Sequence, residues 1–300
     1  MALASEPAAE FQIVGAMLTD VGRVRSSNED SVAFVIPSNN EPSARRGSLL
    51  LVADGMGGHA AGEVASALAV EVVRRVYFLL DAPVPDSLLT AFEAANRAIL
   101  DHSKSNPDCK GMGTTCTALA IHDGRVWLAH VGDSRAYLLR NGKLTQLSED
   151  QTLHAQMIRD GLVTAEEAKD SAGGNIVLQA LGTRPDVEPA VWGEGISLAD
   201  GDILILCSDG LTNMVPDKAI AEAAARAAPQ EACSNLVAAA LKAGGYDNVS
   251  VGIFAVRAKN GQATGTQTTT RRIDIAETDA EDAAFEAATT RIIKVPEGLA

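Results

Sequence analysis

The chain has 300 residues, 46% hydrophobic and 21% charged, the balance of a globular protein with a sizeable core. Its formal net charge of −14 argues against nucleic acid as a partner, because phosphates would be repelled. The longest apolar runs are strand-length, so no membrane span is expected, and the N-terminal "MALASEPAAEF" lacks the apolar run of a signal peptide.

Strand patterns come first, at 11–18, 31–36 and 48–53. Two helical patterns follow, at 62–80 and 87–104, separated by "PVPD" at 83–86. In the second, Leu88, Phe92, Ala95 and Ile99 share one face. The period then changes to two. "TTCTALAI", "RVWLAHV" and "RAYLLR" read as strands joined by "HDG" at 122–124 and "NG" at 141–142, so 114–147 is expected to be one antiparallel meander. Residues 151–175 read as a helix, a glycine turn and a short capped helix ending in a loop. A buried strand at 202–209, helices over 216–228 and 229–245, and a strand at 248–256 complete the pattern. From about residue 258 large apolar groups become scarce, and the composition predicts a disordered Thr- and acid-rich tail. Strands on both sides of paired long helices predict an α+β fold, an antiparallel β-sandwich flanked by helix pairs. Four dispersed cysteines (Cys109, Cys116, Cys207, Cys233) form no CxxC pair and read as reduced thiols of a cytoplasmic protein.

The loop "DGMGGH" after the third strand invites a phosphate-cradle reading, but it is neither GxGxxG nor GxxxxGK[ST]. Its aspartate is more informative. Asp54, Asp133, Asp209 and Asp247 all stand at strand ends followed by small residues, and "SNEDS" adds Glu29 and Asp30. A single such aspartate is usually a turn former or helix cap. Four that converge would repel one another by roughly 3 kcal/mol per pair at about 5 Å, and so call for cations. Carboxylates with a backbone carbonyl suit Mg²⁺ or Mn²⁺ rather than Zn²⁺, and Gly55 would let its carbonyl approach such an ion.

Seven stretches in order then carry a resemblance. They are "RVRSSNEDS" (23–31), "VADGMGGHAAGEVAS" (52–66), "GMGTTCTAL" (111–119), "HVGDSRAYLLRNGKLTQLSEDQT" (130–152), "LQALGT" (178–183), "DILILCSDGLTNMV" (202–215) and "GGYDNVSVGIF" (244–254). Together they resemble the bacterial branch of the metal-dependent Ser/Thr protein phosphatases of type 2C. The resemblance implies a catalytic domain over 11–257, after a 1–10 extension and before a 258–300 tail. It implies two stacked antiparallel sheets with a two-metal centre at one end. In that centre Asp54 bridges two Mn²⁺ or Mg²⁺ ions, the Gly55 carbonyl binds one, and Asp209 and Asp247 bind the other. Glu29 and Asp30 hold metal-bound waters, Asp133 helps bind a third, weaker ion, and Arg25 grips the substrate phosphate. A water activated between the two ions attacks phosphorus.

Two positions depart from the pattern. Met56 stands where eukaryotic members carry a histidine proposed to protonate the leaving group, with His59 three residues on. Asn213 stands where many members carry a further aspartate. The segment 151–175 matches the family's flap. The implied partners are phosphorylated proteins and a cognate Ser/Thr kinase. Alternatives are a non-catalytic phosphoprotein-binding regulator and a small-molecule phosphate hydrolase. In the tail, Thr270 and Thr290 each have Ile three residues later, a spacing that resembles the phosphothreonine pattern read by forkhead-associated domains.

Overall fold

In the computed structural model the described residues are 11–38, 42–57, 61–164, 167 and 176–259. His59, residues 168–175, Thr270 and Thr290 lie outside them. In chain order the elements are β1 (Phe11–Asp20), β2 (Asp30–Val35), β3 (Ser48–Met56), α1 (Ala61–Leu79), α2 (Val84–Ser105), β4 (Gly113–Thr114), β5 (Cys116–His122), β6 (Arg125–Val131), β7 (Arg135–Arg140) and β8 (Lys143–Gln146). Then come α3 (Leu153–Arg159), β9 (Ala190–Val191), β10 (Ile196–Ser197), β11 (Ile203–Cys207), α4 (Asp209–Thr212), α5 (Asp217–Arg226), α6 (Pro229–Lys242) and β12 (Val249–Ala258).

Strand alternation sets the layers. In β3, Leu50 and Val52 face one way, while Leu49, Leu51 and Ala53 face the other. The first pair meets Leu204, Leu206, Phe254 and Val256 from a second sheet, and the others meet Ala65, Val73, Leu88 and Phe92 of α1 and α2. On the far side, Ile205, Cys207, Val251 and Ile253 pack on Ile220, Leu236 and Val237 of α5 and α6. Three apolar interfaces therefore separate four layers: helices, sheet, sheet, helices. One sheet has the order β1-β12-β11-β7-β8 and the other β10-β6-β5-β3-β2, with β4 and β9 attached at β3 and β6. The α+β sandwich expectation holds.

The expected meander does not. β5 and β6 pair in one sheet, and β7 and β8 pair in the other. The chain changes sheet at Gly132–Ser134. Gly132 has φ +107°, and a Cβ there would press on the Thr115 side chain. The two hairpin turns are as expected, with positive φ at Asp123 (44°) and Asn141 (51°). Helix α2 starts three residues before its predicted start because the prolines of "PVPD" belong to its cap and first turn, where no N–H is needed. In the 151–175 segment, Thr152 caps α3, and Thr164 and Glu167 exchange the hydrogen bonds of a capping box. Cys116, Cys207 and Cys233 are buried and free, and burial pushes their thiols up to about 12. No helix among the described residues is long and apolar enough to cross a membrane.

Candidate metal centre

The antiparallel register of β2 and β3 sets Asp30 directly opposite Asp54. Asp30 is in phase with Val32 and Phe34, and Asp54 with Leu50 and Val52, so both carboxylates fall on the inner face at the end of the sandwich. The second sheet brings polar groups to the same end. Ser208, in phase with Leu206, and Ser250, in phase with Phe254, each donate a 2.7 Å hydrogen bond to Asp30 Oδ2. Thr19, in phase with Met17, has its Oγ1 2.8 Å from the Ser250 hydroxyl. Asp209 begins α4 immediately after Ser208.

The loops complete the site. Asn248 donates to the Val21 and Ser27 carbonyls (2.9 Å each) and accepts from the Glu29 N–H (2.8 Å), which ties the 21–29 loop to the start of β12. Asp247 Oδ1 accepts from the Asn248 N–H, and its Oδ2 lies 2.7 Å from Arg25 Nη2. That ion pair is open to solvent, with side chains 50% and 35% exposed. The hydrogen bond to Asp247 holds the Arg25 guanidinium above its ordinary value, so it stays charged. Gly55 admits no side chain: a Cβ would run into the Gly62 carbonyl oxygen and come within 2.5 Å of the Glu29 carbonyl oxygen. Met56 pairs with Gly113 at the end of β3 and brings no acid.

Burial first, and then mutual repulsion, raises the carboxylates. Asp30 is pushed to about 7, with the hydroxyls of Ser250 and Ser208 opposing. Asp133, on the sheet-to-sheet crossover, is also pushed to about 7 by burial and the charge of Asp209. Asp54 is held well above the usual range by burial and the charges of Asp30, Asp209, Asp133 and Asp247. Burial and Asp247 raise Asp209, and burial raises Glu29 despite nearby Arg25. Two buried oxygens, Asp30 Oδ1 and Asp209 Oδ1, have no hydrogen-bond partner. Orphaned carboxylate oxygens among like charges fit hard divalent cations, which would satisfy the lone pairs and cancel the repulsion. Among the described residues no three of these side chains form a closed cage as they stand, since Asp247 turns to Arg25 and Asp209 to Asn213 (3.1 Å).

A second set of residues went unpredicted. Thr115 Oγ1 accepts from the Asp54 N–H (2.9 Å) and lies 2.8 Å from Ser134 Oγ, while Thr114 Oγ1 donates to the Asp54 carbonyl. Thr117 Oγ1 sits 2.9 Å from the Ser134 carbonyl and from His130 Nδ1. His130 Nε2 faces the Glu149 carbonyl at 3.0 Å, and burial lowers its pKa to about 4. That nitrogen therefore carries the proton of a neutral ring. The network braces Asp54, the Asp133 crossover and the root of α3. Its signal in the sequence was weak: polar residues standing at buried positions of apolar strands.

The sequence profile of protein phosphatase 2C matches residues 23–243. The chain belongs to the protein phosphatase 2C family. It is 41% identical over 236 residues to the serine/threonine protein phosphatase PstP of Mycobacterium tuberculosis, a match covering 78% of this chain and 43% of that protein. It therefore spans less than half the length of that relative. It is 37% identical over 239 residues to the serine/threonine phosphatase stp of Listeria monocytogenes, covering 78% and 92%. The catalytic domain of PstP, solved in complex with two manganese ions, superposes with a TM-score of 0.71 at 38% identity, over 83% of this chain and all of that one. These protein phosphatase 2C relatives have the fold class expected from the sequence.

Proposed function

We propose that this chain hydrolyses phosphoserine and phosphothreonine in proteins at a binuclear Mn²⁺ or Mg²⁺ centre. The observation that carries the reading is the pair of orphaned oxygens, Asp30 Oδ1 and Asp209 Oδ1, buried among carboxylates that repel one another. The manganese in the PstP catalytic domain supports the choice of ion. Asp54, the Gly55 carbonyl, Asp209 and Asp247 would hold the two ions, and Asp133 a third. When bound, such ions make water a nucleophile at neutral pH and neutralise phosphoryl charge. Glu29 and Asp30 accept hydrogen bonds from water and orient it. Arg25 leaves Asp247 for the incoming phosphate, whose oxygens match its planar fork. Met56 cannot protonate the leaving alkoxide, and a water at the site would supply that proton.

The domain is read as 11–257, working in the cytoplasm against a Ser/Thr kinase. A phosphothreonine in the 258–300 tail would dock a forkhead-associated domain. Mn²⁺-dependent release of phosphate from a phosphothreonine peptide, compared with nucleotides, tests the reading. Preference for nucleotides would make the chain a small-molecule hydrolase. Peptide binding without turnover would make it a non-catalytic regulator.

A further inference from the structure

Two loops meet at the mouth of the site and are tied twice. The Arg23 N–H donates to the Gly245 carbonyl at 2.8 Å, and Arg25 pairs with Asp247 at 2.7 Å. Between the ties stands one large apolar residue from each loop, Val24 and Tyr246, 64% and 63% exposed. A single exposed apolar side chain is ordinary, but these two flank Arg25 and Asp247, which pair across the loops. The tyrosine ring lies over a glycine. Its ring covers Gly244 so closely that a Cβ there would lie 2.6 Å from Cε2, and Gly244 has φ +138°. Only glycine permits both the backbone and the ring above it. One part of the ring lies on the Gly244 backbone while the rest faces solvent.

We infer that Val24 and Tyr246 form a shelf for the side chain next to the phosphorylated residue, and select phosphopeptides with an aromatic or large apolar neighbour there. The inference rests on the phosphatase reading above. A phosphate held at Arg25 carries its own residue to the rim, and neighbouring Cα atoms of the peptide lie about 3.8 Å on either side. The adjacent side chain then falls on the two loops. Charge complementarity favours this occupant: the chain is acidic overall, yet the rim carries Arg23 and Arg25 beside the apolar pair. A nucleobase would find one aromatic face and an aliphatic side chain.

The test uses the full chain with Mn²⁺ and two phosphothreonine peptides that differ only in having Phe or Gly on both sides of the phosphothreonine, with adenosine monophosphate as a third substrate. Wild type should favour the Phe peptide by about five-fold in kcat/KM, carried by KM, the size expected of one aromatic contact. Y246A should bring the ratio close to one, and Y246F should keep it. A wild-type ratio near one, or a ratio that survives in Y246A, overturns the shelf. So does a Y246A loss confined to adenosine monophosphate, which would make the tyrosine a base platform. If wild type turns over none of the three, the phosphatase reading fails, and fluorescence anisotropy with the same labelled peptides decides the shelf by the same ratio.

Discussion

Asp30 and Asp247 belong to one site yet are held in opposite ways. Asp30 sits at the closed end of the sandwich, where Ser208 and Ser250 from the opposite sheet hold one oxygen and the other has no partner. Asp247 sits on an open loop, where the Asn248 N–H holds one oxygen and Arg25 the other. Burial makes charge at Asp30 costly, so the inner end couples protonation, and on the proposed reading cation binding, to stability. The rim is screened by water, so its charges have little effect on the fold. Substitutions at the two ends should separate accordingly.

The largest effect is expected at the inner end. D209A should lower kcat at saturating Mn²⁺ by about a hundred- to a thousand-fold, because charge stabilisation of this kind contributes about that much. Thermal unfolding in chelator should be unchanged or improved, since one of the mutually repelling carboxylates is gone. Near-normal turnover of D209A would remove Asp209 from the centre.

At the rim, R25A should lower kcat/KM by about thirty-fold, chiefly through KM, as expected for one charge-assisted hydrogen bond. Its unfolding free energy should move by less than about 1 kcal/mol, because the ion pair is exposed. An unchanged KM would show that Arg25 does not meet the phosphate.

Chelation sharpens the contrast through pH. Asp30 and Asp133 titrate near 7 in the fold against the ordinary 3.8. A raised folded pKa adds stability that is complete below the unfolded value and is lost as pH rises through the folded one. His130 acts in the opposite direction: its folded value of about 4 lies below 6.5, so its contribution is lost as pH falls across that range. Above pH 6.5 only the carboxylates act. Denaturant unfolding in chelator should therefore lose about 1 kcal/mol between pH 6.5 and 8. Excess Mn²⁺ should flatten the profile. A flat profile in chelator would mean that the inner carboxylates are not strained.

The smallest effect concerns the brace. T115V removes the acceptor for the Asp54 N–H and the hydroxyl beside Ser134. It should cost about 1–2 kcal/mol of stability, read by denaturant unfolding. A larger loss of turnover than of stability would mean that the brace sets the position of Asp54.

Much of the site was legible in the sequence because its carboxylates stand where apolar strands stop. Strand parity aims Asp30 and Asp54 inward at the end of the sandwich, and parity is a local property. The turns at Asp123 and Asn141 were equally legible, since positive φ is a single-residue preference. The meander was misread because nothing local tells a hairpin from a change of sheet. "VGDS" looks like any short turn, yet there the chain leaves one layer for the other and carries Asp133 into the site. The hydroxyls of Ser208, Ser250, Thr115 and Thr117 were passed over because serine and threonine also occur in ordinary strands.

By itself the sequence determined the main strands and helices and the kind of donor at the strand ends: oxygen and charged. These follow from backbone preference and side-chain period, which act over a few residues. Only the tertiary structure decided that Asp30 faces Asp54, that Asp209 arrives from the other sheet and Asp133 from the crossover between the two, and that Arg25 meets Asp247 across 222 positions of chain. Those pairings depend on which sheets stack and in what register. Burial of three apolar interfaces at once selects them, and no single segment contains that information.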